Sequence, residues 1–125
     1  MNKSFNKTLF LVLAMLFAAA ITVQIFLAGA AIFIHPSHWQ NHTMFVHLFG
    51  FNLPVIMLLV AFFAKTPRWA YWYIFSMLLG VFMMYFTANI TSNLPWLGAI
   101  HPVIAVFLVL VSYRLVLRTL HFIRR

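Results

Sequence analysis

Six histidines carry whatever site chemistry this chain has: His35, His38, His42, His47, His101 and His121. Imidazole is the one side chain here that both titrates near neutral pH and binds metals. The chain has no Cys, Asp or Glu. That removes disulfides, thiolate metal sites and thiol catalysis. It also removes paired-carboxylate catalysis, Ser-His-Asp triads, carboxylate calcium or magnesium sites and acidic proton relays. What remains for imidazole is a polar packing contact, a proton or quinone hydrogen bond, a zinc or copper site, or axial ligation of haem iron.

Two of the histidines stand five residues apart in the stretch "NHTMFVHLFG", Asn41 to Gly50. If that stretch is helical, five residues turn it by about 500°, so His42 and His47 point about 140° apart. They do not share a face. The spacing places His42 at an outer water interface with His35 and His38, and leaves His47 to find its counterpart elsewhere. A four-histidine zinc or copper site from His35, His38, His42 and His47 is a formal alternative, since His38 and His42 are spaced i, i+4. In a loop that spacing specifies little.

The elements that must position these side chains are membrane spans. Hydrophobic residues make up 66% of the 125 residues and charged ones 6%, against about 25% charged in an ordinary globular domain. Four apolar runs stand out: Thr8 to Ile34, Met44 to Ala64, Ala70 to Ile90 and Pro95 to Phe122. Each meets the length of about 20 residues needed to cross a hydrocarbon core. The expected helices are about 8–34, 42–64, 69–90 and 95–122, forming a single transmembrane domain over 1–125. Short links between them imply antiparallel neighbours. The expected fold is all-α, an up-down-up-down four-helix bundle.

Orientation follows from basic residues, which collect on the cytoplasmic side. Lys3 and Lys7 precede the first run, Lys65 and Arg68 lie in the middle link, and Arg114, Arg118, Arg124 and Arg125 end the fourth. All eight fall on one side if both termini are cytoplasmic. Trp39 and Trp96 would mark the outer interface, Trp69 and Trp72 the inner one. The charge of +8 therefore reads as a topology signal, and nucleic acid is not an expected partner. The first run also has the form of a secretory signal ending in "AGA" at Ala28 to Ala30, but it exceeds the usual 7 to 15 apolar residues, so it is expected to stay as a helix.

Polar side chains inside spans are costly and mark sites. With the topology fixed, Gln24, His47, Asn52, Thr87, Asn89 and His101 fall mostly in the outer half. If the second helix starts near His42 and the fourth with Pro95, His47 lies about 7 to 8 Å and His101 about 9 Å along their helices. The depths match, and the two spans run parallel. Gly50 and Ala105 follow on the same faces and would leave room for a flat ligand, while Gln24 or Asn89 could orient an imidazole. Pro102 is expected to kink the fourth helix. Two readings stay open for His47 and His101: hydrogen-bonded polar residues that only specify packing, or axial ligands of one b-type haem. The propionates of a haem would find no Lys or Arg in the outer half. Arg114 and Arg118, one turn apart, have no acid to pair with and are expected to snorkel to lipid phosphates, with an anionic ligand or a partner's carboxylate as the alternative. Ala14, Ala18 and Thr22 follow small-xxx-small spacing, which favours close helix approach within or between chains.

The motifs "QIFLAG" at Gln24 to Gly29, "HLFG" at His47 to Gly50 and "IHP" at Ile100 to Pro102 together resemble a group of small four-helix bacterial membrane proteins classed as a domain of unknown function. That resemblance implies four transmembrane helices, with His47 and Gly50 in the second and His101 and Pro102 in the fourth. It implies no activity. More distantly, the arrangement is similar to one half of haem A synthase or a small membrane cytochrome b, which adds weight to haem by architecture alone. The expectation is a multi-pass protein of the bacterial inner membrane that binds one haem b between His47 and His101, for electron transfer or haem handling. The alternative is a non-catalytic accessory subunit or assembly factor of a larger membrane complex. Expected partners are the lipid bilayer, further copies of the chain or a respiratory complex, and a quinone. No enzymatic activity is assigned.

Overall fold

The computed structural model describes residues 3–124, with side chains from residue 4. Two of the cations used for topology, the Lys3 side chain and Arg125, lie outside the described residues. Every regular element is helical: α1 (Lys3–Phe33), α2 (His38–Phe49), α3 (Asn52–Ala64), α4 (Arg68–Ile90), α5 (Pro95–Gly98) and α6 (His101–Arg124). Four segments are long and apolar enough to cross a membrane: Ser4–Phe33, His38–Ala64, Arg68–Ile90 and Pro95–Arg124. The second span is α2 followed by α3, and the fourth is α5 followed by α6. The chain is thus an all-helical four-helix membrane bundle.

Side-chain contacts fix the antiparallel order. Lys7 near the start of α1 meets Phe122 near the end of α6, and Asn6 donates to the Phe63 carbonyl at the end of α3. At the opposite end Gln24 of α1 meets the start of α2, and Thr87 of α4 meets the start of α6. One end therefore gathers the described Lys and Arg residues and the other holds His35, His38, His42 and His101. We call these the basic end and the histidine end. α1 packs against the second and fourth spans and α4 does the same, so the second and fourth spans face each other across a diagonal.

The basic half is closely filled. Phe10, Phe17, Met57, Ile74, Met77, Leu108 and Leu115 are fully buried, with Ala14, Ala61 and Ala70 letting the helices approach. A Cβ built on Gly80 would lie 2.6 Å from Leu108 Cδ2, so that glycine lets α4 and α6 meet. Between α3 and α4, Lys65 takes the left-handed conformation (φ 50°) and its N–H caps the Ala61 and Phe62 carbonyls. A non-glycine residue pays about 1 to 2 kcal/mol for that conformation, and it keeps a cation in the link.

Both diagonal spans are broken, each a few residues before a proline. Proline removes its own N–H and clashes with the carbonyl four residues back. Pro102 addresses Gly98 in this way, and the helix is interrupted at 99–100, where a kink is expected from the sequence. Pro54 addresses Gly50, and the second span is interrupted at 50–51. There Asn52 turns its side-chain amide back onto the Leu48 carbonyl at 2.8 Å, satisfying an acceptor that the break leaves open.

Candidate functional site

At the histidine end the four spans part around a cavity of about 270 Å³. Ile21, Val46, Val81, Met84 and Leu108 give it apolar walls, and Gln24, His42 and His101 bring polar atoms to it. This is just below the range of about 300–1,000 Å³ usual for small-molecule sites. Its side between α2 and α4 carries His47, Tyr85 and Asn89.

His42 is half-buried, although the sequence places it at the water interface with His35 and His38. The reason is a reciprocal clasp with α1. Gln24 Nε2 donates to the His42 carbonyl at 2.8 Å, and His42 Nδ1 lies 2.9 Å from the Gln24 carbonyl. A carbonyl only accepts, so that Nδ1 carries the proton. Gln24 is 4% exposed, and its Oε1 is buried with no protein partner.

His101 opens α6, turned inward by the break before it. Its Nδ1 lies 3.1 Å from the Met84 carbonyl and 3.0 Å from Thr87 Oγ1. The Thr87 hydroxyl donates to the Met83 carbonyl at 2.8 Å, so its oxygen is left to accept and His101 Nδ1 is the donor. His42 and His101 thus share one tautomer, proton on Nδ1 and a bare lone pair on Nε2. No protein group hydrogen-bonds either Nε2 among the described residues. Their ring centres are 6.5 Å apart across the diagonal, inclined by 52°. Two imidazoles held on opposite sides of one metal ion, each at about 2 Å, set their ring centres about 6 to 6.5 Å apart.

The other residues singled out in the sequence are placed as follows. His47 lines the same cavity, but its ring is exposed and its Nδ1 is 3.0 Å from Tyr85 Oη. Phe51 stacks on the other part of this contact, 5.4 Å from the Tyr85 ring centre and inclined by 8°. Gly50 lies against Val81, whose Cγ1 would be 3.3 Å from an added Cβ, so the space beside this glycine is already filled from α4. Ala105 is buried at 8% exposure. Neither Gly50 nor Ala105 lines the cavity. Asn89 does, with its Nδ2 donating to the Tyr85 carbonyl. The four-histidine site does not assemble: His35 pairs with Ser37 and His38 with Asn41, and among the described residues no three His, Cys, Asp or Glu side chains gather for a metal ion. His42 is the residue that spacing alone misassigned. The signal available was Gln24, a polar residue on α1 that the structure pairs with His42.

In comparison with known proteins, the model of a family of unknown function, DUF6220, matches residues 24–92. That stretch, more than half of the chain, holds Gln24, His42, His47 and Asn89 and stops before His101. Neither the curated proteins nor the solved structures give a match, so the more distant likeness to haem A synthase and cytochrome b gains no support.

Proposed function

The chain belongs to the DUF6220 family of unknown function, and from that premise we propose that it is a small multi-pass membrane protein holding one b-type haem in the cavity at its histidine end. Its role is electron transfer or haem handling, with both termini and the basic end on the cytoplasmic side of a bacterial inner membrane. His101 and, in place of the His47 suggested by depth, His42 would hold its iron. One observation supports this reading: both rings donate Nδ1–H to backbone carbonyls, no protein group among the described residues hydrogen-bonds either Nε2, and both residues line the same cavity. Metal-binding histidines are held in just this way, the second nitrogen bonded so that tautomer and orientation are fixed.

The donor set discriminates between metals. A free zinc ion asks the protein for three or four ligands, and no such group gathers among the described residues. A haem iron asks it for two. When bound, the group supplies one-electron chemistry. The protein's part is to hold the imidazoles: the Gln24 carbonyl fixes His42, and the Met84 carbonyl with Thr87 fixes His101. Ile21, Val81 and Leu108 exclude water from the ligand pair.

The test is a reduced-minus-oxidised spectrum of protein purified from haem-replete cells. The expected result is an α-band from the wild type, lost in His42→Ala and His101→Ala and kept in His47→Ala. A full-length, folded but colourless wild type would sink the haem reading and favour the accessory-subunit alternative, in which the histidines serve packing only. Loss of the band in His47→Ala but not in His42→Ala would restore His47 as the ligand.

A further inference from the structure

We propose that the flank of α6 beside α4 at the basic end is a binding site for an anionic phospholipid, with Arg114 and Arg118 holding the headgroup phosphate. The site is remote from the histidine cavity and does not rest on the haem reading.

The first observation is a charge imbalance. The chain has eight Lys and Arg and no Asp or Glu, so no side-chain carboxylate is available to pair with any of them. Two cations rest instead on aromatic faces. The Arg118 guanidinium lies 4.8 Å over the Trp69 ring, and Lys7 Nζ lies 4.4 Å over Phe122. Trp69 and Phe122 themselves meet edge-on at 6.1 Å. A cation–aromatic–aromatic–cation row thus runs from Lys7 of α1 through Phe122 of α6 and Trp69 of α4 to Arg118, again on α6. Contacts of this kind orient a cation without neutralising it.

Depth makes the case specific. Tryptophan settles at the membrane interface, which puts Arg118 at that level. Arg114, one turn away from the helix end, lies about 6 Å deeper. Both arginines are exposed, so Arg114 sits at the edge of the hydrocarbon with no protein anion in reach, a costly position unless its fork reaches up to a phosphate. At i, i+4 the two forks project from one face and can share one headgroup. Arginine suits this better than lysine because its planar fork matches phosphate oxygens in pairs. His121, exposed and one turn further out, continues the stripe.

The same face runs apolar toward the histidine end. Val103, Phe107 and Leu110 fall on the helical line of Arg114 and Arg118, and all three are exposed, at 65%, 47% and 56%. The stripe therefore offers a row for an acyl chain that ends in two guanidinium groups. A diacyl lipid with an anionic headgroup complements both parts, whereas free phosphate would use only one.

Native mass spectrometry of the protein in micelles doped equally with phosphatidylglycerol and phosphatidylcholine tests the assignment. The wild type is expected to retain phosphatidylglycerol in preference. Arg114→Gln with Arg118→Gln is expected to lose that preference by about 25-fold, at roughly fivefold per charge, with helical circular dichroism unchanged. Arg114→Lys with Arg118→Lys keeps the charge and is expected to fall between the two. Equal retention of both lipids by the wild type would overturn the proposal without any variant. So would a glutamine variant with the wild-type preference, or displacement of the lipid by excess inorganic phosphate, which would reduce the site to an anion contact.

Discussion

From Phe10 and Leu115 up to Met77 and Leu108 the basic half of the bundle is filled by fully buried side chains. The histidine half, built from the same four spans, opens around about 270 Å³. The halves differ in backbone as well as in side chains. α1 and α4 run unbroken through both, while the diagonal spans are each interrupted. A continuous helix satisfies its own backbone and needs only shape from its neighbours. A broken one frees backbone groups and re-aims the residues that follow. In this molecule the break at 99–100 leaves His101 as the first residue of α6, facing α4. Packing holds the basic half, and hydrogen bonds place the groups in the other.

Four substitutions probe that contrast. The largest loss is expected from Phe10→Ala in the closed half, about 3 to 5 kcal/mol from the cavity it leaves, measured by SDS unfolding in mixed micelles. A loss below about 1 kcal/mol would mean that this half is loosely packed after all. Next comes Gly80→Val, expected to cost about 1 to 3 kcal/mol because its Cβ and methyls invade Leu108; a neutral result would show that α4 and α6 separate freely. Gln24→Leu should cost only about 1 kcal/mol in ligand-free protein, since it loses the bond to the His42 carbonyl but also removes the unpartnered Oε1. Unfolding of the ligand-free variant would show that the clasp holds the fold rather than the site. Tyr85→Phe is expected to have the smallest effect, about 0.5 to 1 kcal/mol, with the two-dimensional NMR signal of the His47 ring shifted and that of His101 unmoved. A shift at His101 would join the α2–α4 side to the His42–His101 pair and blur the distinction drawn between them.

Much of this architecture was legible in the sequence because span length, apolarity and the positions of Lys and Arg are properties of each segment taken alone. The kink ahead of Pro102 was legible for the same reason, since a proline acts on its own chain. The interruption ahead of Pro54 follows identical chemistry but hides behind Gly50, which the spacing argument treats as room for a ligand. Val81 of α4 fills that room, and nothing local to α2 announces it.

The choice between His42 and His47 shows where sequence stops. Their separation of about 140° follows from helix geometry alone, so the sequence decides that only one of them can face His101. Which one does depends on how the second span is rotated about its own axis. Each residue of register turns a helix by about 100°, and α3, which continues the span and is apolar on nearly every side, carries little preference among rotations. The sequence therefore determined four membrane-spanning helices, a basic end, and a polar end rich in histidine. Only the tertiary structure, through the clasp between Gln24 and His42 and the packing of Val81 on Gly50, decided which imidazole meets His101.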